Sequence, residues 1–141
     1  MYNTYNPAQP AGLMDFVRAA KACIKELTPA ELETRLDSGE DLLLIDVREH
    51  SESEQGHIKN SVLVPRGILE AAADPAYPKH FPDLCNARNR NVVVYCATGG
   101  RSAMAAAVLQ MMGFNKVISL DGGIARWEKE GLPVQRQARY V

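Results

Sequence analysis

The chain has 141 residues, of which 46% are hydrophobic and 23% are charged, and its formal net charge is −1. These values predict one globular domain that is soluble and large enough to bury a core. Because the basic residues are scattered and nearly balanced by acidic ones, neither a nucleic-acid partner nor a membrane partner is indicated.

The three cysteines are Cys23, Cys85 and Cys96, and they form no Cys-x-x-Cys pair. An odd number with this spacing predicts neither a disulfide framework nor a zinc site, so we expect no metal and no cofactor. Reduced thiols favour a cytoplasmic location. The polar N-terminus lacks the features of a signal peptide, and no apolar run reaches the length of a membrane span.

Helical and strand patterns alternate along the chain. A polar lead-in over residues 1–10 precedes an amphipathic stretch, which predicts a helix packed on the main body rather than one that binds a partner. Thr28, Pro29 and Glu31 have the spacing of a capping box and begin the next helix. The predicted strands are 25–27, 42–45, 61–64, 92–95 and 116–120. The predicted helices are 11–24, 29–37, 66–72, 102–112 and 124–130, and the predicted connections are 46–55 and 74–91.

This alternation predicts an α/β fold with a parallel sheet. The uninterrupted apolar runs 42–45 and 92–94 are typical of strands that are covered on both faces. Functional sites in such sheets form beyond the carboxyl ends of the strands, and Cys96 and Asp46 both lie at such ends. Asp121-Gly122-Gly123 is interpreted as a tight turn before the last helix.

Residues 95–102 read Tyr-Cys-Ala-Thr-Gly-Gly-Arg-Ser and join a buried strand to a long helix. The free N–H groups at a helix N-terminus and the helix dipole favour an anion there. Gly99 and Gly100 can take positive φ, which would turn neighbouring N–H groups inward, and Arg101 adds a positive charge. This setting favours a thiolate nucleophile at Cys96 over a small buried hydrophobe that ends a strand.

Five stretches in this order make the chain resemble the single-domain rhodanese (thiosulfate sulfurtransferase) family. They are Leu44-Ile45-Asp46-Val47-Arg48-Glu49, residues 56–61, residues 64–67, residues 94–102 and residues 120–127. The resemblance covers residues 25–134, so we expect a lead-in and helix over 1–24, a rhodanese domain over 25–134 and a tail over 135–141. It implies a three-layer fold with a central five-stranded parallel sheet and helices on both faces.

The resemblance also implies that Cys96 accepts a sulfane sulfur as a persulfide from a donor such as thiosulfate. The sulfur then passes to a thiophilic acceptor, which could be cyanide, a small thiol or a protein thiol. Inward-facing N–H groups would hold the outer sulfur of a persulfide anion. A covalent intermediate of this kind predicts ping-pong kinetics.

The predicted catalytic residues are Cys96 and Arg101, with Arg101 either binding an anionic donor or orienting the loop. The predicted substrate-binding residues are Ala97, Thr98, Gly99, Gly100 and Arg66. The predicted supporting residues are Asp46, Arg48 and His57.

Several of these side chains have more than one interpretation. Asp46 is expected to tether the adjoining loop by hydrogen bonds. His57 is favoured as a structural residue over a proton shuttle. Arg66 either lines the mouth of the pocket or is a solvated surface residue. The Thr98 hydroxyl either donates to the persulfide or stiffens the turn, and Ser102 is predicted to cap the helix.

Two other functions stay open at this point. Dual-specificity phosphatases and some arsenate reductases carry a similar turn, with one residue more between cysteine and arginine than the four found here, Ala97 to Gly100. The shorter cradle suits one extra sulfur atom better than a tetrahedral oxyanion. A rhodanese-like module without enzymatic activity, serving in binding or regulation, is the other alternative, and the presence of Cys96 counts against it.

Overall fold

A parallel sheet forms the centre of the computed structural model, which describes residues 8–136. The five strands of this sheet are β1 (Lys25–Leu27), β2 (Leu42–Asp46), β3 (Val62–Leu63), β4 (Asn91–Tyr95) and β5 (Val117–Leu120). Within the described residues their order is β1-β5-β4-β2-β3, and every pairing is parallel. This arrangement confirms the five-stranded parallel sheet that the resemblance implied, and β4 lies at its centre.

Helices connect the strands and cover both faces of the sheet. They are α1 (Leu13–Lys21), α2 (Pro29–Asp37), α3 (His50–Gln55), α4 (Leu69–Ala73), α5 (Pro82–Cys85), α6 (Gly100–Met111) and α7 (Gly123–Lys129). The capping box at the start of α2 forms as predicted, because Thr28 and Glu31 exchange hydrogen bonds of 2.9 and 3.2 Å. None of the helices between residues 8 and 136 is long and apolar enough to cross a membrane.

Successive residues of the central strands enter opposite cores. Ile45 and Val94 pack in the core that contains residues of α4, α5 and α6. Leu44 and Val93 pack in the other core, which contains residues of α2 and α7. A strand buried on both faces carries apolar residues without alternation, so the prediction for β2 and β4 is confirmed.

Helix α1 packs against α6 rather than against the sheet. Its Ala20 forms a small apolar cluster with Ala103 and Ala107 of α6. The helix is shorter than the predicted 11–24, but its packing on the main body is confirmed. Its first apolar residues are left largely exposed, Leu13 at 68% and Met14 at 54%.

The largest differences from the sequence expectations lie between β2 and β4. Residues 46–55, predicted as a connection, contain α3, whose residues His-Ser-Glu-Ser-Glu-Gln offer no apolar periodicity that could reveal a helix. The predicted strand 61–64 is reduced to Val62–Leu63. The predicted helix 66–72 is divided into a 3₁₀ turn over Arg66–Ile68 and α4.

The predicted lead-in and tail are only partly described. Residues 1–7 and 137–141 lie outside the described residues. The start of the tail is held to the domain, because Gln135 and His57 exchange two backbone hydrogen bonds of 2.7 and 2.8 Å.

Candidate active site

Cys96 directly follows β4 at the carboxyl edge of the sheet, between the ends of β2 and β5. The Gly99 N–H donates to Cys96 Sγ at 3.1 Å, and the Ser102 N–H donates to the same sulfur at 3.3 Å. The residue is only 1% exposed, but it contributes to the wall of a cavity of about 270 Å³. The loop amides therefore point at the sulfur, as the sequence predicted, and stabilise negative charge on it.

The two loop glycines have different roles. Gly99 has a φ of +104°, as predicted, and it occupies the N-cap position of α6. Gly100 is already helical and is not among the described residues with positive φ, so the prediction for it was wrong. A Cβ at Gly100 would lie 3.4 Å from Val17 Cγ2 of α1. The second glycine therefore lets α1 pack directly against the loop.

Ser102 lies behind the Cys96 sulfur rather than at the helix cap. It is fully buried inside the first turn of α6, while Gly99 occupies the cap position. Its hydroxyl is 3.5 Å from Cys96 Sγ and 2.8 Å from the hydroxyl of Ser119 on β5. The prediction of a capping role was wrong, and the side chain instead connects the sulfur to the neighbouring strand.

The turn before α7 holds the Cys96 loop from the other side. Ile124 N–H donates to the Cys96 carbonyl at 2.9 Å, and Ala125 N–H donates to the Ala97 carbonyl at 3.0 Å. A Cβ at Gly123 would lie 2.5 Å from the Ala97 carbonyl carbon, so the two backbones are in direct contact. Sequence reasoning assigned Gly122 and Gly123 only to a tight turn. Their position after β5, at the same sheet edge as Cys96, was the signal for this contact.

Arg101 is held by a carboxylate that the sequence analysis did not select. Its two terminal nitrogens donate to Glu52 of α3 at 2.7 and 2.9 Å. These hydrogen bonds from Arg101 lower the pKa of Glu52 to about 2. Glu52 was missed because its segment was interpreted as a loop. The α3 segment carries no apolar periodicity that could have revealed its helix.

Asp46 and Arg48 form a buried ion pair beneath α3. Asp46 accepts hydrogen bonds from the Arg48 backbone N–H at 3.0 Å and from its guanidinium at 2.9 and 2.7 Å. The same guanidinium donates to the Gly56 carbonyl at 2.7 Å and to the Glu52 carbonyl at 3.4 Å. Asp46 thus tethers the loop after β2, as expected, and Arg48 binds the carbonyls of the middle and the C-cap of α3.

Of the remaining predicted residues, Thr98 reaches the cavity. It is exposed and lines the wall together with Cys96. His57 and Arg66 are not on that wall as far as residues 8–136 are concerned. The His57 ring nitrogen Nδ1 lies 3.3 Å from the Ser53 carbonyl, and Arg66 donates to Glu70 at 2.8 Å. The supporting role of His57 and the substrate-binding role of Arg66 stay predictions.

The fold and the loop together define a class of α/β protein in which backbone N–H groups at a sheet edge point at a cysteine sulfur. The family model of the Rhodanese-like domain matches residues 28–130. The chain therefore belongs to the rhodanese-like domain family. This match begins after α1, so the first helix is an addition to the part that defines the family.

Individual relatives agree with this assignment. A protein named sulfurtransferase from Allochromatium vinosum is 34% identical over 111 residues, which are 79% of this chain and 94% of that protein. A rhodanese-related protein from Thermoplasma volcanium has a TM-score of 0.66 at 30% identity, covering 80% of this chain and 99% of its own.

A solved structure from Rhodopseudomonas palustris is also similar, with a TM-score of 0.84 at 32% identity. It covers 92% of this chain and 98% of its own, which is more of this chain than the family model covers. That protein is described as having unknown function and as a possible tyrosine phosphatase.

The Gly123→Ala variant tests the contact between the two loops. Gly123 has a φ of +62°, and its new Cβ would meet the Ala97 backbone at 2.5 Å. We expect a loss of about 3 kcal/mol or more in the free energy of unfolding, because positive φ and a backbone clash both act. Urea denaturation measures this loss.

Gly131→Ala is the matched control, because its φ is +83° but no atom lies within 4 Å of the new Cβ. It should lose only about 1 kcal/mol, the effect of positive φ alone. Equal losses in the two variants would show that the contact with Ala97 does not constrain the loop.

Replacing Glu52 by glutamine should remove a pH-dependent part of the stability. The pKa of Glu52 is about 2 in the folded chain instead of the ordinary 4.5, so its stabilising effect is present above pH 4.5 and disappears as the pH falls towards 2. We therefore expect Glu52→Gln to be less stable than the wild type at about pH 6, by about 1 kcal/mol or less for a pair this exposed, and the difference to shrink at about pH 3.

Urea denaturation at the two pH values measures this difference. Glu128→Gln, at an exposed position on α7, serves as the control for replacing a surface glutamate outside the Arg101 ion pair. A wild-type advantage that is constant over this pH range would contradict the ion pair with Arg101.

Proposed function

We propose that this chain is a thiosulfate sulfurtransferase, with Cys96 carrying the transferred sulfur as a persulfide. The observation that carries the proposal is the pair of N–H groups, from Gly99 and Ser102, aimed at Cys96 Sγ beside a cavity. Membership of the rhodanese-like domain family and a relative named sulfurtransferase support sulfur transfer in general.

In the first half of the reaction, the Cys96 thiolate attacks the outer sulfur of thiosulfate. A new S–S bond forms to Cys96, the S–S bond of the donor breaks, and its electron pair leaves with sulfite. The outer sulfur of the persulfide then carries the negative charge. The N–H groups of the loop and the N-terminus of α6 stabilise this charge, because they are oriented before the reaction begins.

In the second half of the reaction, an acceptor attacks the outer sulfur atom of the Cys96 persulfide. Cyanide takes this sulfur to give thiocyanate, the S–S bond to Cys96 breaks, and the thiolate is regenerated. A small thiol or a protein thiol would take the sulfur in the same way and become a persulfide. Neither half needs an external oxidant, because the sulfur is passed on without net electron transfer to a cofactor.

Phosphoester hydrolysis is the second candidate, favoured by the likeness to the Rhodopseudomonas palustris structure. Two features of the loop count against it. Only four residues separate Cys96 from Arg101, which leaves a small cradle for a tetrahedral phosphate. The Arg101 guanidinium is also engaged by both carboxylate oxygens of Glu52, whereas a phosphate would need that fork for itself.

Intact-mass measurement after incubation with thiosulfate tests the role of Cys96 directly. The wild type should gain the mass of one sulfur atom, and added cyanide should remove it. Cys96→Ser should gain none and lose sulfur transfer by about a thousandfold or more, since the nucleophile is absent. Cys23→Ser, which changes an exposed cysteine, should behave like the wild type.

The same preparations are then tested with p-nitrophenyl phosphate. We expect no hydrolysis that depends on Cys96. Hydrolysis lost in Cys96→Ser, together with no sulfur gain from thiosulfate, would reject sulfur transfer in favour of the phosphatase.

Arg101→Ala tests whether this arginine helps to bind an anionic donor. The substitution removes a positive charge from the cavity wall and leaves the Glu52 carboxylate without its partner, so donors are repelled. We expect KM for thiosulfate to rise about tenfold, the ratio for about 1.4 kcal/mol.

Arg90→Ala is the control, because Arg90 forms a comparable ion pair with Asp41 just before β4, at the opposite sheet edge. It should leave KM unchanged. An unchanged KM in Arg101→Ala would instead restrict Arg101 to orienting the loop.

A further inference from the structure

One wall of the cavity in front of Cys96 is apolar. The apolar lining consists of Leu13, Met14 and Val17 of α1 together with Met104 of α6. The facing wall is the loop itself, with Cys96 and Thr98. The apolar wall thus comes mainly from the helix that precedes the family match at residue 28.

The side chains at the outer end of this wall leave apolar surface exposed to water. Leu13 is 68% exposed and Met14 is 54% exposed, whereas Val17 is buried against α6 and the loop. An apolar group that covers Leu13 and Met14 would remove their surface from water, which is favourable in proportion to the area covered. The flexible thioether of Met14 can adapt to groups of different shape.

Both cations on the cavity wall already have carboxylate partners. Arg101 donates to Glu52, and the Lys21 ammonium lies 3.5 Å from Glu26 and 3.9 Å from Asp121. The positive field that a donor meets is therefore partly cancelled. A doubly charged donor without apolar surface, such as thiosulfate, therefore gains little from the positive charges or from the apolar wall of this cavity.

The size of the cavity also favours a donor that is larger than thiosulfate. Its volume of about 270 Å³ is close to the lower end of pockets that hold organic ligands, about 300 Å³. A small oxyanion beside the Cys96 sulfur would leave most of the α1 wall uncovered. An organic group attached to the donor would cover it.

We propose that Leu13 and Met14 select sulfur donors that carry one negative charge and an apolar arm. Organic thiosulfonates represent this class, and the inference rests on the proposed sulfur transfer. The Cys96 thiolate attacks the terminal sulfur of the thiosulfonate and forms an S–S bond to it. The donor's bond between this sulfur and the sulfonyl sulfur breaks, and the electron pair leaves on the organic sulfinate.

The test compares benzenethiosulfonate with thiosulfate as donors for the full chain. The measured quantity is the ratio of kcat/KM for the two donors, with cyanide as the acceptor. Met14→Ala should lower this ratio about fivefold, because the apolar arm loses part of its contact surface. Met14→Gln, which keeps the length of the side chain but makes it polar, should lower the ratio as well.

Met111→Ala is the matched control, because Met111 is 52% exposed but lies at the opposite end of α6 from Cys96. It should leave the ratio unchanged. Alanine is a strong helix former and both methionines are exposed, so the variants should keep the wild-type midpoint of urea unfolding.

An unchanged ratio in Met14→Ala and Met14→Gln would overturn the role of the α1 wall. Mass analysis separates this result from a failure of the proposed function. If Cys96 gains sulfur from either donor while the ratio is unchanged, sulfur transfer stands and only donor selection by α1 is rejected. If Cys96 gains no sulfur from either donor, the proposed function fails, and the inference fails with it.

Discussion

The whole site depends on two hydrogen bonds, from the backbone N–H groups of Gly99 and Ser102 to the sulfur of Cys96. They require the chain to reverse direction within a few residues between β4 and α6, and the positive φ of Gly99 makes this possible. Backbone donors at a helix start point in a fixed direction, so they meet a charged sulfur without rearranging. The chemistry thus comes from backbone geometry as much as from side chains.

Neighbouring parallel strands explain how so short a loop is kept in place. Beside β4, strand β5 supplies Ser119 behind the sulfur and leads into α7, whose backbone N–H groups donate to the loop carbonyls. On the other side, β2 leads through Asp46 and α3 to the carboxylate that holds Arg101. Since parallel strands all end at one edge, segments distant in sequence meet around Cys96.

The sequence predicted the parts of this site that depend on local patterns. The buried strands β2 and β4 show as apolar runs, and the Cys96 turn shows as a cysteine followed by glycines and a helix. It did not reveal the partner of Arg101, because α3 has no apolar residue from whose spacing a helix could be predicted. The position of Ser102 and the contact of Gly123 with Ala97 were missed for the same reason, since both depend on packing between separate loops.

The loop and the residues around it would contribute differently to donor recognition, because each contacts a different part of the donor. In the proposed reaction, every sulfane-sulfur donor presents the same reacting atom to Cys96, and backbone N–H groups respond only to the charge on that atom. Discrimination between donors must therefore come from groups that contact the rest of the molecule. In this chain α1 provides such groups at the cavity, and it lies outside the segment that defines the family. If α1 selects donors as proposed, a change in this added helix alters which donor is used while the geometry at the sulfur stays the same.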